Sequence, residues 1–173
     1  MTKSTPPPPL DIIAYHIDEF AFRALDEFEG EREGAGTFSI DFNHEQNEND
    51  PRHFRIVMEI RFAEHGYKAE ENPPYSITLK LTGYFGFVEG TPDKVLHRMI
   101  DVNGSSILFG IARGFVGQVT SAAKNGQFLL PPVNFIALVN ARREAKAKTI
   151  PPPDAADNPR ELPPATTDAV EKR

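Results

Sequence analysis

Residues 54–62, FRIVMEIRF, put Phe54, Ile56, Met58, Ile60 and Phe62 on even positions and Arg55, Glu59 and Arg61 on odd ones. A period of two is the side-chain repeat of an extended chain, so this segment is expected to be a strand with one buried face. Two further runs repeat it. Phe38, Ile40 and Phe42 alternate with Thr37, Ser39 and Asp41, while Ile77, Leu79, Leu81, Phe85 and Phe87 alternate with Thr78, Lys80 and Thr82. An earlier run changes parity from Tyr15 and Ile17 to Phe20 and Phe22, which a bulge at Asp18-Glu19 explains. Four strands with short, turn-rich links predict an antiparallel sheet with one apolar face, and that face needs a cover.

The cover is expected from the second half of the chain. Thr91-Pro92-Asp93 reads as a helix start, with a short helix over 93–101. Ser105 is placed near the N-cap of a main helix in which Ile107, Leu108, Ile111, Phe115 and Val119 recur at helical spacing. Gly110, Gly114 and Gly117 interrupt that helix at about 1 kcal/mol each relative to Ala. Close approach of another helix or of the sheet is the expected compensation. Asn125-Gly126 predicts a left-handed stop, and a last helix is expected from Val133 to about Lys148, with Arg142, Arg143, Lys146 and Lys148 at its C-terminal end. Between the two helices, FLLPPVNF at 128–135 forces an extended crossing, because the residue before each proline is biased away from helix. The fold class is therefore α+β: a four-stranded antiparallel sheet, then a long helix and a C-terminal helix on one face.

Of 173 residues, about 11–150 form one expected domain. Residues 1–10 and 151–173 carry ten of the 16 prolines and few large apolar side chains, and are expected to be disordered tails. No run of about 20 apolar residues is present for a bilayer span, and MTKSTPPPPL lacks a secretory signal's apolar stretch. With no cysteine for disulfides or thiolate metal sites, a cytoplasmic protein is expected. The formal charge of −6 argues against nucleic-acid binding, which needs a basic face.

Catalytic signatures are missing. The five histidines, His16, His44, His53, His65 and His97, lack tight metal spacing, and His44 with Glu45 and His53 reads as a solvated loop. The sequence has no phosphate loop, no dinucleotide fingerprint and no nucleophile elbow, so neither a cofactor nor an enzyme activity is expected. The GxxxG from Gly110 to Gly114 reads as ordinary helix packing, and ARREAKAK at 141–148 as a solvated helix end or a contact for an acidic partner.

Asn103 to Val139 resembles the C-terminal half of the SecB protein-export chaperones. The entry Ile107-Leu108-Phe109, the pair Ala112-Arg113, the link Gly126-Gln127-Phe128 and the close Leu130 to Leu138 carry the likeness. YFGFVEG, Tyr84 to Gly90, resembles the end of the family's fourth strand. Gly110 stands where the family has a proline.

The resemblance implies an ATP-independent holding chaperone, a homotetramer built as a dimer of dimers, whose apolar grooves take up unfolded polypeptides such as preproteins. The candidate groove set is Phe20, Phe22, Phe38, Ile40, Phe42, Phe85, Phe87 and Phe128, and the candidates for helix packing between subunits are Gly110, Gly114 and Gly117. In the family, acids on the outer sheet face dock the SecA motor. Glu19 keeps one such acid, but Arg23 and Thr78 occupy the other positions, next to Lys80, Arg55 and Arg61. Three functions are compatible: a preprotein chaperone working with SecA, a SecB-like chaperone dedicated to an antitoxin or other client, and a small-molecule or acyl-binding domain.

Overall fold

The computed structural model describes residues 9–26, 28, 38–63 and 73–149, the last four as helical backbone only. Residues 1–8 and 151–173 of the expected tails lie outside the described residues, and the first strand already begins at Leu10. Two compact units divide the chain at Val139 and Asn140. The second contributes only helical residues to Thr149; the architecture that follows belongs to the first.

Four strands, β1 (Leu10–Ala24), β2 (Phe38–Gln46), β3 (His53–Phe62) and β4 (Tyr75–Phe87), form one antiparallel sheet in the order β1-β4-β3-β2. The last three are successive neighbours, and β1 returns beside β4, a Greek-key order. Register follows the alternation: Phe54, Ile56, Met58, Ile60 and Phe62 face Phe85, Gly83, Leu81, Leu79 and Ile77. All of these apolar side chains are buried. The expected bulge is present as a register shift between Ile17 and Glu19, and a second shift between Ile12 and Ala14 leaves Ile13 out of the ladder.

The helical layer is more continuous than the sequence predicts. Helix α1 (Asp93–Met99) runs through a π turn (Ile100–Gly104) directly into α2 (Ser105–Thr120). Gly104 and Ser105 both have right-handed helical backbones, so Ser105 is not an N-cap. Its hydroxyl is buried without a hydrogen-bond partner, while Ser106 donates to the Val102 carbonyl at 2.7 Å. Helix α2 buries Leu108, Phe109, Ala112, Val116 and Thr120.

Close approach to the sheet is made by other glycines than those expected. A Cβ on Gly83 would stand 2.9 Å from Leu108 Cδ1, and one on Gly104 would stand 2.8 Å from Ile56 Cδ1. Gly110 and Gly114 have open space instead, and Gly117 faces Leu129 of the crossing.

The turn after α2 ends at Gly126, whose positive φ of 78° is the expected left-handed position, six residues beyond Thr120. The crossing then runs back along α2. Arg113 donates to the Leu130 carbonyl at 2.9 Å, and the Thr120 hydroxyl accepts from the Phe128 amide at 2.9 Å. Helix α3 (Phe135–Thr149) starts two residues later than expected, with Asn134 Oδ1 capping the Ala137 amide at 3.0 Å.

Candidate functional site

Helix α2 lies over β3 and β4, the central strands, and leaves the two outer strands partly uncovered. Aromatic rings collect along both margins. Beside β1, Phe115 of α2 meets Phe20 edge-on at 4.9 Å, Phe20 stacks on Phe22 at 5.5 Å, and Phe22 approaches Tyr75 at 6.1 Å. Tyr75 leads to Phe128 of the crossing at 6.1 Å, and Phe128 to Phe62 at 4.7 Å. The chain of rings thus follows β1 and turns under the crossing.

Exposure along this margin is graded. Phe22 is 39% exposed and Leu129 48%, while Phe20, Phe115 and Phe128 are partly buried. At its end Lys124 pairs with Asp26, which holds the Asp26 carboxyl below its usual pKa. Tyr75 is sealed, and its hydroxyl donates to the Gly126 carbonyl at 2.7 Å.

Beside β2, a second set connects Phe38 to Phe109 at 6.3 Å, Phe109 to Phe135 at 5.6 Å, and Phe135 to Phe42 at 5.8 Å. Ile136, at 56% exposed, extends it onto α3, and an open groove of about 590 Å³ lies there, lined by Val102, Ser106, Pro132, Val133 and Ile136. Aromatic rings offer large apolar area at low conformational cost, which suits contact with varied apolar segments.

The eight groove candidates therefore do not form one surface. Phe20, Phe22 and Phe128 stand on the β1 margin, and Phe38, Ile40 and Phe42 on the β2 margin, where Phe42 is buried. Phe85 and Phe87 are sealed in the core, Phe87 packing edge-on against Phe54 at 5.6 Å. Sequence reasoning missed Tyr75, Phe109, Phe115, Leu129, Phe135 and Ile136 as members of the margins. For Phe115 and Phe109 the signal was present in their helical spacing; for Leu129 it was not, since only the pinning of Leu130 turns its neighbour outward.

The outer sheet face is polar and mixed in sign. Glu19 lies opposite Lys80, Arg23 opposite Ser76, and Arg61 opposite Thr78. Arg55 pairs with Glu45, and Arg61 with Glu59. An open groove of about 620 Å³ on this side includes Ile13, Ala14, His53 and Tyr84. His44 is not in a loop with Glu45 and His53: it sits in β2, half-buried, pointing to the helical layer. Among the described residues no group of His, Cys, Asp and Glu has metal-binding geometry, and no helix is long and apolar enough to cross a membrane.

A sheet covered by a helix, with aromatic margins rather than a cluster of reactive side chains among the described residues, defines an α+β module of the kind found in chaperones, and the family match gives the class. Residues 4–146 match the family described as preprotein translocase subunit SecB, and the chain belongs to the SecB family, a family of chaperones. It is 24% identical to the protein-export protein SecB of Caulobacter sp. (strain K31) over 139 residues, which is 80% of this chain and 83% of that one. Among solved structures it resembles the Mycobacterium tuberculosis SecB-like chaperone Rv1957, solved in complex with a ChAD peptide from the HigA1 antitoxin, with TM-score 0.47 and 13% identity over 73% of this chain and 91% of that chain. A protein of unknown function from Streptococcus agalactiae is similar with TM-score 0.42 and 15% identity over 71% of this chain and 97% of that one.

Proposed function

We propose that this chain is an ATP-independent cytoplasmic holdase, assembled as a homotetramer, that keeps non-native polypeptides from aggregating by seating their apolar segments on the two aromatic margins of α2. The observation that carries this reading is the exposure of Phe22, Leu129 and Ile136 beside buried and partly buried rings, in a chain of the SecB family. Such margins offer weak, adaptable apolar contact rather than a shaped pocket. Residues 105–120 support assembly through helices, because Ile107 is 38% exposed on a face where Gly110 and Gly114 leave open space.

The client class divides into preproteins delivered to SecA and a dedicated client such as an antitoxin. The outer face favours the dedicated client. The single retained acid, Glu19, lies opposite Lys80, and the other docking positions hold Arg23 and Thr78, the latter beside Arg61, so a basic partner meets little net negative charge. An acyl-binding cavity is disfavoured, because Ile56, Met58, Leu81 and Leu108 fill the space between sheet and α2 with no exposure.

Light scattering from a chemically unfolded client diluted into the protein without nucleotide tests the holdase. Suppression near one tetramer per client is expected, with a mass four times that of the chain by native mass spectrometry. A monomer without effect on scattering overturns the reading. Co-purification from the host then separates the client classes, a single partner standing against many preproteins with SecA.

A further inference from the structure

We infer that His44, His97 and Asp101 form a proton-operated latch that holds the free edge of the sheet to the helical layer. Among the described residues, strand β2 is bonded to β3 on one side only. On its inner face His44 places Nδ1 2.8 Å from Asp101 Oδ1 in the π turn, and Nε2 3.3 Å from His97 Nδ1 on α1. The two rings lie 5.5 Å apart, and Phe54 stands against both, at 6.0 Å from His44 and 5.5 Å from His97.

The donor and acceptor count limits how many protons this arrangement holds. With both imidazoles neutral, His44 Nδ1–H donates to Asp101 and His97 Nδ1–H donates to His44 Nε2. With one added proton, His44 donates from both nitrogens, to the carboxylate on one side and to a neutral His97 on the other. Both states keep both contacts. A second proton places N–H against N–H between two cations at the same contact, which has no hydrogen-bonded solution. The His97 ring must then leave, and its tie between α1 and β2 goes with it.

Charged groups border the pair from both layers. From the helix, Lys94 and Arg98 flank His97 in the chain as exposed cations, and Asp101 is already engaged by His44. From the sheet, Phe54 and Ile56 are the inner-face neighbours on β3, and Glu45 pairs with Arg55 on the opposite face. Asp93, at the start of α1, pairs with Arg52 at 3.8 Å. Acidification supplies the second proton, so the latch opens as pH falls.

The consequence for binding rests on the holdase reading above; the latch itself does not. Phe42, two residues before His44 on the same face, packs on Phe135. Release of the β2 end therefore loosens the aromatic margin that Phe42, Phe135 and Phe109 form.

Hydrogen exchange of the full-length protein at pH 7.5 and 5.0, corrected for intrinsic rates, tests the latch. Amides of residues 42–46 in the wild type are expected to lose about tenfold in protection at the lower pH, the scale of a local opening. His97→Gln, which hydrogen-bonds but takes no proton, is expected to show protection independent of pH, and so is His44→Gln. Unchanged wild-type protection, or the same pH response in both variants, overturns the latch. An apolar fluorescent dye and an unfolded client, titrated at both pH values, read the function separately. Binding that rises with the loss of protection supports control of the margin. Opening without any change in binding keeps the latch and overturns the client role of the β2 margin.

Discussion

Tyr75 donates its hydroxyl to the Gly126 carbonyl at 2.7 Å, joining the first residue of β4 to the left-handed turn that sends the chain into the crossing. The ring is fully buried between Phe22 and Phe128, so this one bond ties the floor of the β1 margin to its upper wall. Burial also raises the phenol's pKa above its ordinary 10.0.

Tyr75→Phe keeps the packing and removes the donor, and it should cost about 1 kcal/mol, a fall of roughly 2 to 4 °C in Tm for a chain of this size. The pH dependence follows from the raised pKa. Tyr75 adds stability that is fully present below the unfolded value near 10 and is lost as pH rises through the folded value. Thermal melts from pH 7 to 11 should therefore show the gap between wild type and variant closing above pH 10.

Thr120→Val is nearly isosteric but leaves the Phe128 amide without the hydroxyl that accepts from it at 2.9 Å. The expected loss is about 1 to 3 kcal/mol, with faster hydrogen exchange at Phe128 than at Leu138, whose amide is bonded to the Asn134 carbonyl. Equal acceleration at both sites would point to global rather than local loosening.

Phe22→Ser and Phe85→Ala separate binding from stability. Phe22 is partly exposed and should cost under about 1 kcal/mol in folding while weakening client binding about fivefold to tenfold. Phe85 is fully buried, and its truncation should cost about 3 to 5 kcal/mol. Urea denaturation and client titration of both variants give the comparison. Full binding by Phe22→Ser would remove the β1 margin from the functional surface.

Gly114→Ala and Gly114→Leu test assembly. A Cβ at Gly114 meets no atom of the described residues within 4 Å, so Ala should stabilise an isolated chain by up to about 1 kcal/mol. If neighbouring subunits pack on this face, Leu should split the tetramer into smaller species by native mass spectrometry while circular dichroism stays unchanged. A Gly114→Leu tetramer would move the subunit contact elsewhere.

The sheet was readable because its signal is redundant. Each strand carries its own alternation, and the parity change between Ile17 and Phe20 located a bulge before any pairing was known. Strand order was less accessible, since β1 joins β4 rather than its successor in the chain. Ser105 misled for a physical reason: a small polar residue after Asn-Gly looks like a cap, yet here it lies inside a continuous helix. Gly110 and Gly114 do not approach the sheet, and their packing between subunits is a proposal. Spacing identifies which residues share a helix face but not which face meets the sheet, and the close approaches are at Gly83 and Gly104. The aromatic candidates are divided by the fold between two margins and the core. Whether a ring is sealed like Phe85 or open like Phe22 depends on where α2 stops covering the sheet.

The π turn sets the phase of α2. It takes up one extra residue within a continuous helical rod, and so decides which side of α2 turns inward. Helix α2 does not make that choice alone, because it carries apolar residues on both sides: Leu108, Ala112 and Val116 on one, Ile107 and Ile111 on the other. Regularising the turn to α-helix with all five residues kept would rotate α2 by about 100°. That would carry Leu108 off the sheet and turn a different row of side chains toward both the core and any neighbouring subunit. Five residues of backbone thus hold the distinction between the inside of this protein and the surface it offers to others.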